Sequence, residues 1–287
     1  MRKACVEMPI CARHEPVAAE VFVEGTLNFT GSEDGQSEWY IHNPEPGIIE
    51  RTPEMDPQRV RIFNARLHFP VFALNRAGFQ LVGHDTKLRD FSDDSNVRST
   101  YYAEMEQLVK KSVGASDVIV FDHNIRSSEH NIENEVLRQP STSVHADYTE
   151  NSAPRRVRQL LPADEAERRL ARPFSFINVW KPLDQAVHTR PLAVCDARTM
   201  KREDFVRTTL RYRDRTGEIY TFRSNAEQRW YYYPLMHPDE VLLLKCYDSE
   251  TDGRARFVAH TSFEDPTSLP DAPARKSIEV RTIAFFE

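Results

Sequence analysis

No run of about 18 apolar residues occurs in the 287-residue chain, so no transmembrane helix is expected. The N-terminus, Met1-Arg2-Lys3-Ala4-Cys5-Val6-Glu7-Met8, has a charge too early and no long apolar stretch, and does not read as a signal peptide. The four cysteines, Cys5, Cys11, Cys195 and Cys246, form no Cys-x-x-Cys pair and no zinc-finger spacing. They read as free thiols acting as small buried hydrophobes, which suits a reducing, cytoplasmic compartment. A basic excess is also lacking: the formal charge is −6, and arginines are interleaved with acids, so neither nucleic acid nor an anionic membrane is an expected partner. Internal repeats, low-complexity tracts and a continuous βαβ alternation are absent too, and the last excludes a doubly wound fold.

What is present is an ordinary globular composition, 40% apolar and 29% charged, in a chain long enough for a substantial core. Thr30–Ser37 and Asn43–Gly47 read as turns in an irregular, peripheral N-terminal segment. Strands are expected at Val21–Gly25, Val60–Arg66 and Phe79–His84, then a helix over Val97–Val113 stopped by Gly114, then a buried strand at Asp117–Asp122. This beginning, residues 1–125, is expected to form an α/β extension or cap. Pro154–Arg172 reads as one helix. Short strands follow at Phe174–Trp180 (ended by Lys181-Pro182), Leu192–Asp196, Glu218–Phe222, Trp230–Pro234, Glu240–Cys246, Arg256–Thr261 and Ser277–Phe286. Residues 197–217 read as a charged excursion. The expectation is one mainly β domain over 1–287: a jelly-roll core over 126–287, flanking helices and the N-terminal extension.

Chemistry is concentrated at Ser143-Val144-His145-Ala146-Asp147-Tyr148. On an extended chain, residues two apart share a face, so His145 and Asp147 can approach one metal ion from the same side. A third ligand has to come from elsewhere, and His260, 115 positions on (260 − 145), is the best candidate. Two histidines and one carboxylate are the facial triad of non-haem iron(II) oxygenases, which leaves positions open for a bidentate oxo-acid and dioxygen. Arg275-Lys276-Ser277 opens the last strand fifteen positions after His260 (275 − 260). There a guanidinium and a hydroxyl on one face can grip the far carboxylate of 2-oxoglutarate. Arg281 shares that face and is the rival, with Arg275 favoured. Asn178 and Trp180 share a face, with Ile177 and Val179 opposite; Asn178 is a cosubstrate candidate, and Trp180 and Tyr148 are candidates for the wall of a substrate pocket. Arg126 and Arg190 are candidate anchors for a substrate carboxylate. The Trp230–Tyr233 aromatic run reads as core, since no basic patch accompanies it.

These motifs together resemble one family. His123-Asn124-Ile125-Arg126, Val144–Tyr148, Asn178–Pro182, Pro191–Asp196, Trp230–Pro234 and the tail Phe257–Phe286 occur in the order seen in the CmcJ/AsaB-like, or gibberellin-desaturase-like, group of fungal secondary metabolism. The resemblance runs from about residue 60 to the C-terminus. It implies a double-stranded β-helix and an iron(II)- and 2-oxoglutarate-dependent dioxygenase that hydroxylates, desaturates or cyclises a small molecule at an unactivated C–H bond. It also implies that His145, Asp147 and His260 are the iron ligands and that Arg275 and Ser277 hold 2-oxoglutarate. A monomer or homodimer is expected. Three readings compete: an iron oxidase not using 2-oxoglutarate, a zinc hydrolase on the same triad, and a binding protein in which the triad is incidental.

Overall fold

The structure, a computed structural model, describes residues 21–31, 36–41, 54–129 and 137–287. The stretch Met1–Met8, Cys5, Cys11, the turn Asn43–Gly47 and most of the turn Thr30–Ser37 lie outside these residues. Among the described residues the strands are β1 (Phe22–Thr30), β2 (Gln36–Tyr40), β3 (Met55–Asn64), β4 (Phe79–Gly83), β5 (Asp117–Ser127), β6 (Leu137–Arg138), β7 (His145–Ala146) and β8 (Phe174–Pro182). They continue as β9 (Leu192–Cys195), β10 (Phe205–Arg211), β11 (Thr216–Phe222), β12 (Trp230–Tyr232), β13 (Glu240–Asp248), β14 (His260–Ser262) and β15 (Lys276–Phe285). Two sheets result, ordered β1-β3-β12-β9-β14-β7-β11-β10-β2 and β4-β13-β8-β15-β5-β6. This is the expected mainly β jelly roll. Strands β1, β3, β4 and β5, all from the stretch expected to form a cap, are paired members of the two sheets themselves.

The reason for two layers is legible in β8, where every residue is buried. Its side chains alternate. Phe174, Phe176 and Trp180 enter a core shared with Phe79, Leu242 and Leu244 and with residues of the other sheet, such as Val194, Tyr220 and Trp230. Ile177 and Val179 enter a second core, with Met105 and Val109 of the helix Tyr102–Val113. Each such side chain contributes about 1.5–3 kcal/mol by leaving water. That helix ends as expected: Gly114 takes φ 70° and its N–H returns to the Lys110 carbonyl. In this left-handed cap, glycine carries no Cβ penalty.

Three expectations are corrected. The strand expected over Arg256–Thr261 is confined to β14, His260–Ser262, and 256–259 are irregular, with Arg256 Nε donating to the Asp248 carbonyl. The helix expected over Pro154–Arg172 is two, Ser152–Leu160 and Ala163–Leu170. Pro162 has no N–H to donate and holds Leu161 extended (φ −116°, ψ 154°), which breaks the run. The charged excursion 197–217 contains β10 and the start of β11, an antiparallel hairpin pairing Arg211 with Thr216. The charges hid it: Arg207 is exposed, while its neighbours Val206 and Thr208 are buried. No helix among the described residues is long and apolar enough to cross a membrane.

Candidate active site

The centre of the nine-stranded sheet places His145 on β7 directly opposite His260 on β14. Their rings lie 4.5 Å apart, tilted by 49°. Asp147 follows β7 immediately, and its Oδ1 is 3.6 Å from His145 Nε2. One ligand atom from each of His145, Asp147 and His260 lies within 4.8 Å of the others, a group able to hold a metal ion. Both rings are oriented by the backbone two residues before them. His145 Nδ1 bonds the Ser143 carbonyl at 2.8 Å and His260 Nδ1 the Val258 carbonyl at 3.2 Å. A carbonyl only accepts, so each Nδ1 carries the proton and each Nε2 presents a lone pair, as a metal ligand requires. Burial, and then the neighbouring His260, push the His145 pKa down to about 4, so its ring is neutral at physiological pH.

Asp147 is held from the other sheet. Asn178 Nδ2 donates to its Oδ2 at 2.6 Å, and Arg281 Nε lies 3.6 Å from the same oxygen. Burial pushes the Asp147 carboxyl up, but Arg281, the two imidazoles and the Asn178 bond outweigh it and hold the pKa well below the usual carboxylate range. Arg281 spends its remaining contacts on Asp122 and Glu279, each at 3.1 Å. It is therefore enclosed by three carboxylates.

Arg275 has the opposite environment. Its backbone is clamped to Ser128 by two hydrogen bonds, at 2.7 and 2.9 Å. Its guanidinium lies over the Trp180 ring at 5.5 Å, and Nη1 donates to the Arg190 carbonyl at 2.5 Å. Among the described residues no carboxylate pairs with it, and neither its Nε nor the buried Ser277 Oγ has a partner. Burial, then Arg126 and Arg190, push its pKa down to about 9, which leaves it a cation at neutral pH. Asn178 Oδ1 is likewise buried and without a partner. A buried cation with orphaned donors beside it loses several kcal/mol of solvation unless an anion completes it, so this is the signature of an anion site. Its position is set by register. Ser277, Glu279 and Arg281 of β15 stand opposite Pro182, Trp180 and Asn178 of β8, and opposite Arg126, Asn124 and Asp122 of β5. Residues directly opposite share a face, so all of these point at the sheet that carries the histidines.

Residues 27–285 match a family described as the oxidoreductase/YMDC permease-like domain. The chain belongs to this family. Within the family the match extends to individual relatives. The hydroxylase/desaturase efuI of Hormonema carpetanum is 36% identical over 80% of this chain and 84% of the relative. The hydroxylase/desaturase asaB of Aspergillus flavus is 39% identical over 44% of this chain and 62% of its own. The Fe(II)/2-oxoglutarate-dependent dioxygenase nvfI of Aspergillus novofumigatus is 32% identical over 94% of this chain and 99% of the relative. A solved structure described as the iron and alpha-ketoglutarate-dependent endoperoxidase NvfI superposes with a TM-score of 0.85 at 30% identity, covering 93% and 99% of the two chains. The AsaB-like resemblance read from the motifs is thus borne out.

In this family member the structure gathers the residues singled out from sequence into one region, in two groups. Asp147, Asn178, Tyr148 and Arg281 gather about the pair His145 and His260, with the Tyr148 ring 4.2 Å from Phe176 and tilted by 35°. Arg126, Arg190, Trp180, Ser277 and Arg275 form the second group. Arg126 and Arg190 therefore stand beside Arg275, and Arg126 also donates to the Gln139 carbonyl at 2.7 Å while Arg190 pairs with Glu264. Sequence reasoning missed Asp122 and Glu279, which neutralise Arg281. It also missed a pocket of about 170 Å³ outside Asp147, walled by Tyr148, Arg281, the helix Ser152–Leu160 and the β10–β11 turn. Parity along β15 pointed to Glu279; nothing in the local pattern pointed to the pocket.

Proposed function

We propose that this chain is an iron(II)- and 2-oxoglutarate-dependent dioxygenase that oxidises an unactivated C–H bond of a small molecule in secondary metabolism, by hydroxylation, desaturation or ring closure. The observation that carries the proposal is the pairing of two groups. A buried His145–Asp147–His260 set offers two imidazoles and one ionised carboxylate. The second group is a buried arginine that pairs with no carboxylate among the described residues, with an orphaned hydroxyl. The donor set fits ferrous iron. The orphaned Arg275 Nε and Ser277 Oγ fit the distal carboxylate of 2-oxoglutarate. When bound, the iron and 2-oxoglutarate use dioxygen to supply an oxidant strong enough to remove hydrogen from an aliphatic carbon, with succinate and carbon dioxide as co-products.

The chain's own residues bind, orient and exclude water. The carbonyls of Ser143 and Val258 hold both imidazoles in the tautomer that presents Nε2. Asn178 and Arg281 fix the Asp147 carboxylate, and their attraction keeps it ionised. Arg275 and Ser277 orient the cosubstrate, with Trp180 flanking the guanidinium. The cores on both faces of β8 keep water from the site's far wall.

The relatives named hydroxylase/desaturase and 2-oxoglutarate-dependent dioxygenase support this reading. Part of the same proposal is a cytoplasmic monomer or homodimer acting on a small molecule, without nucleic acid; the buried free thiols of Cys195 and Cys246 support a reducing compartment. The test is a succinate assay with candidate metabolites under iron(II), 2-oxoglutarate and air. Succinate release that tracks substrate loss is the expected result. Turnover without succinate would transfer the site to an oxidase, and hydrolysis with zinc would transfer it to a hydrolase.

A further inference from the structure

The pocket outside Asp147 is lined by arginines from two separate elements. The helix Ser152–Leu160 turns Arg155 and Arg156 toward it, and the turn between β10 and β11 brings Arg215 from the opposite side. Among the described residues no carboxylate pairs with any of these three arginines. Their neighbours behave differently: Arg158, on the same helix, bonds Glu167 at 2.6 Å, and Arg169 bonds Asp117 at 2.7 Å. Four guanidiniums (Arg155, Arg156, Arg215 and Arg281) and three carboxylates (Asp122, Asp147 and Glu218) line this hollow, so its lining carries a small positive excess in a chain of formal charge −6.

Two of them are already shaped for a ligand. Arg156 lies over the Phe121 ring at 5.2 Å, and Arg215 lies over Tyr212 at 3.9 Å. Stacked in this way, a guanidinium leaves its N–H fork at the edge, free to meet an oxyanion in two-point contact. Arg156 has one weak neutral partner, Gln159, at 3.4 Å. Arg281 is committed to Asp122 and Asp147; Glu218 accepts from the Thr149 hydroxyl and is the one lining carboxylate for which no ion pair is seen among the described residues. A cavity of about 150 Å³ takes one benzene ring, and the space here is about 170 Å³.

We propose that this pocket is the substrate site and that its substrate is an anion. A carboxylate or an acidic enol or phenol group is gripped by Arg155, Arg156 and Arg215, next to a ring-sized apolar portion laid against Tyr148 and Phe121. The proposal rests on the oxygenase reading for the word substrate, and on the geometry alone for binding. It moves acid recognition away from Arg126 and Arg190 and onto the helix Ser152–Leu160 and the β10–β11 turn.

Calorimetric titration of the metal-free protein with salicylate and with salicylamide, its neutral isostere, tests this. Salicylate is expected to bind at least tenfold more tightly than salicylamide. Arg155→Gln, Arg156→Gln and Arg215→Gln should each weaken salicylate about threefold or more, and the triple variant should lose the preference while still unfolding cooperatively. Equal binding of the two probes overturns the proposal. So does undetectable salicylate binding, or a triple variant that binds salicylate like the parent. A loss on Arg275→Gln alone places the probe among the other arginines and also overturns it. Iron and 2-oxoglutarate play no part in this titration. A failure of the oxygenase reading appears separately, as absent 2-oxoglutarate binding to the manganese-loaded protein.

Discussion

Arg281 Nε lies 3.6 Å from Asp147 Oδ2, and this pair separates the role of Arg281 on β15 from that of Arg275 just before it. With Asp122 and Glu279 also on its guanidinium, Arg281 is a structural counter-ion. Arg275, which pairs with no carboxylate among the described residues, is the anchor in the proposed function. Arg275→Gln is expected to weaken 2-oxoglutarate binding to the manganese-loaded protein by roughly ten- to a hundredfold, the worth of a charge-assisted bond of about 1.5–3 kcal/mol. It should leave the metal-free melting temperature unchanged or raised, because a buried unpaired cation is removed. Arg281→Gln is expected to do the reverse: it strands three carboxylates and costs about 3 kcal/mol of stability. Thermal unfolding and a 2-oxoglutarate titration of both variants check this. Equal effects on the cosubstrate would sink the division of labour.

Metal binding should be visible as stability. An ion that binds only the folded state at a hundred times its dissociation constant adds about 2.7 kcal/mol. Anaerobic iron(II) or manganese(II) is expected to raise the melting temperature of the parent protein, and a chelator to reverse the shift. His145→Ala, His260→Ala and Asp147→Ala should each abolish the shift. If His260→Ala retains it in full, the third ligand lies elsewhere.

Much of this was legible in the chain, for reasons that particular residues show. Phe174–Trp180 alternates large apolar side chains because both of its faces meet a core, so β8 and the facing of Asn178 could be read directly. His145 and Asp147 sit two apart on an extended segment, and parity alone puts them on one side. Most of β11 was read as a strand, but its partner β10 was hidden because its outer face is charged and its buried residues include Thr208, which bonds the Thr221 hydroxyl at 2.8 Å instead of packing as an apolar residue. The break at Pro162 was open to view but outweighed by the helical charge pattern on either side. The arginine pocket was illegible for a deeper reason: Arg155 and Arg215 become neighbours only through the packing of a helix on a hairpin sixty positions later (215 − 155).

As the hydrogen-bond partner of Asp147, Asn178 is expected to act as a positioning residue, with a readout distinct from a packing role. Its amide is the bonded partner of Asp147 Oδ2 at 2.6 Å, and its oxygen is orphaned. Asn178→Ala is expected to lower metal affinity about ten- to a hundredfold, the usual cost of losing a group that orients a ligand. Asn178→Asp should be worse than alanine for metal-free stability, because it sets a second carboxylate against Asp147. Metal titration and thermal unfolding separate these effects. An alanine variant with parental metal affinity would reduce Asn178 to a filler of the core.

Acid should loosen the metal-free protein earlier than its carboxylates alone would. The His145 pKa lies at about 4 in the folded state, against about 6.5 for an unperturbed imidazole. Between these values the unfolded chain holds a proton that the folded ring refuses, so stability rises with pH through that window. The contribution is complete above pH 6.5 and is lost as the pH falls toward 4, with a total of about 3 kcal/mol. Asp147 acts separately: its carboxyl is held below the usual range, so its share is lost only at more acidic pH. His145→Gln, which cannot take up that proton, should flatten the melting temperature between pH 4 and 6.5 and leave the steeper fall below pH 4 in place. A variant with the parent's slope across that window would assign the proton uptake to another group.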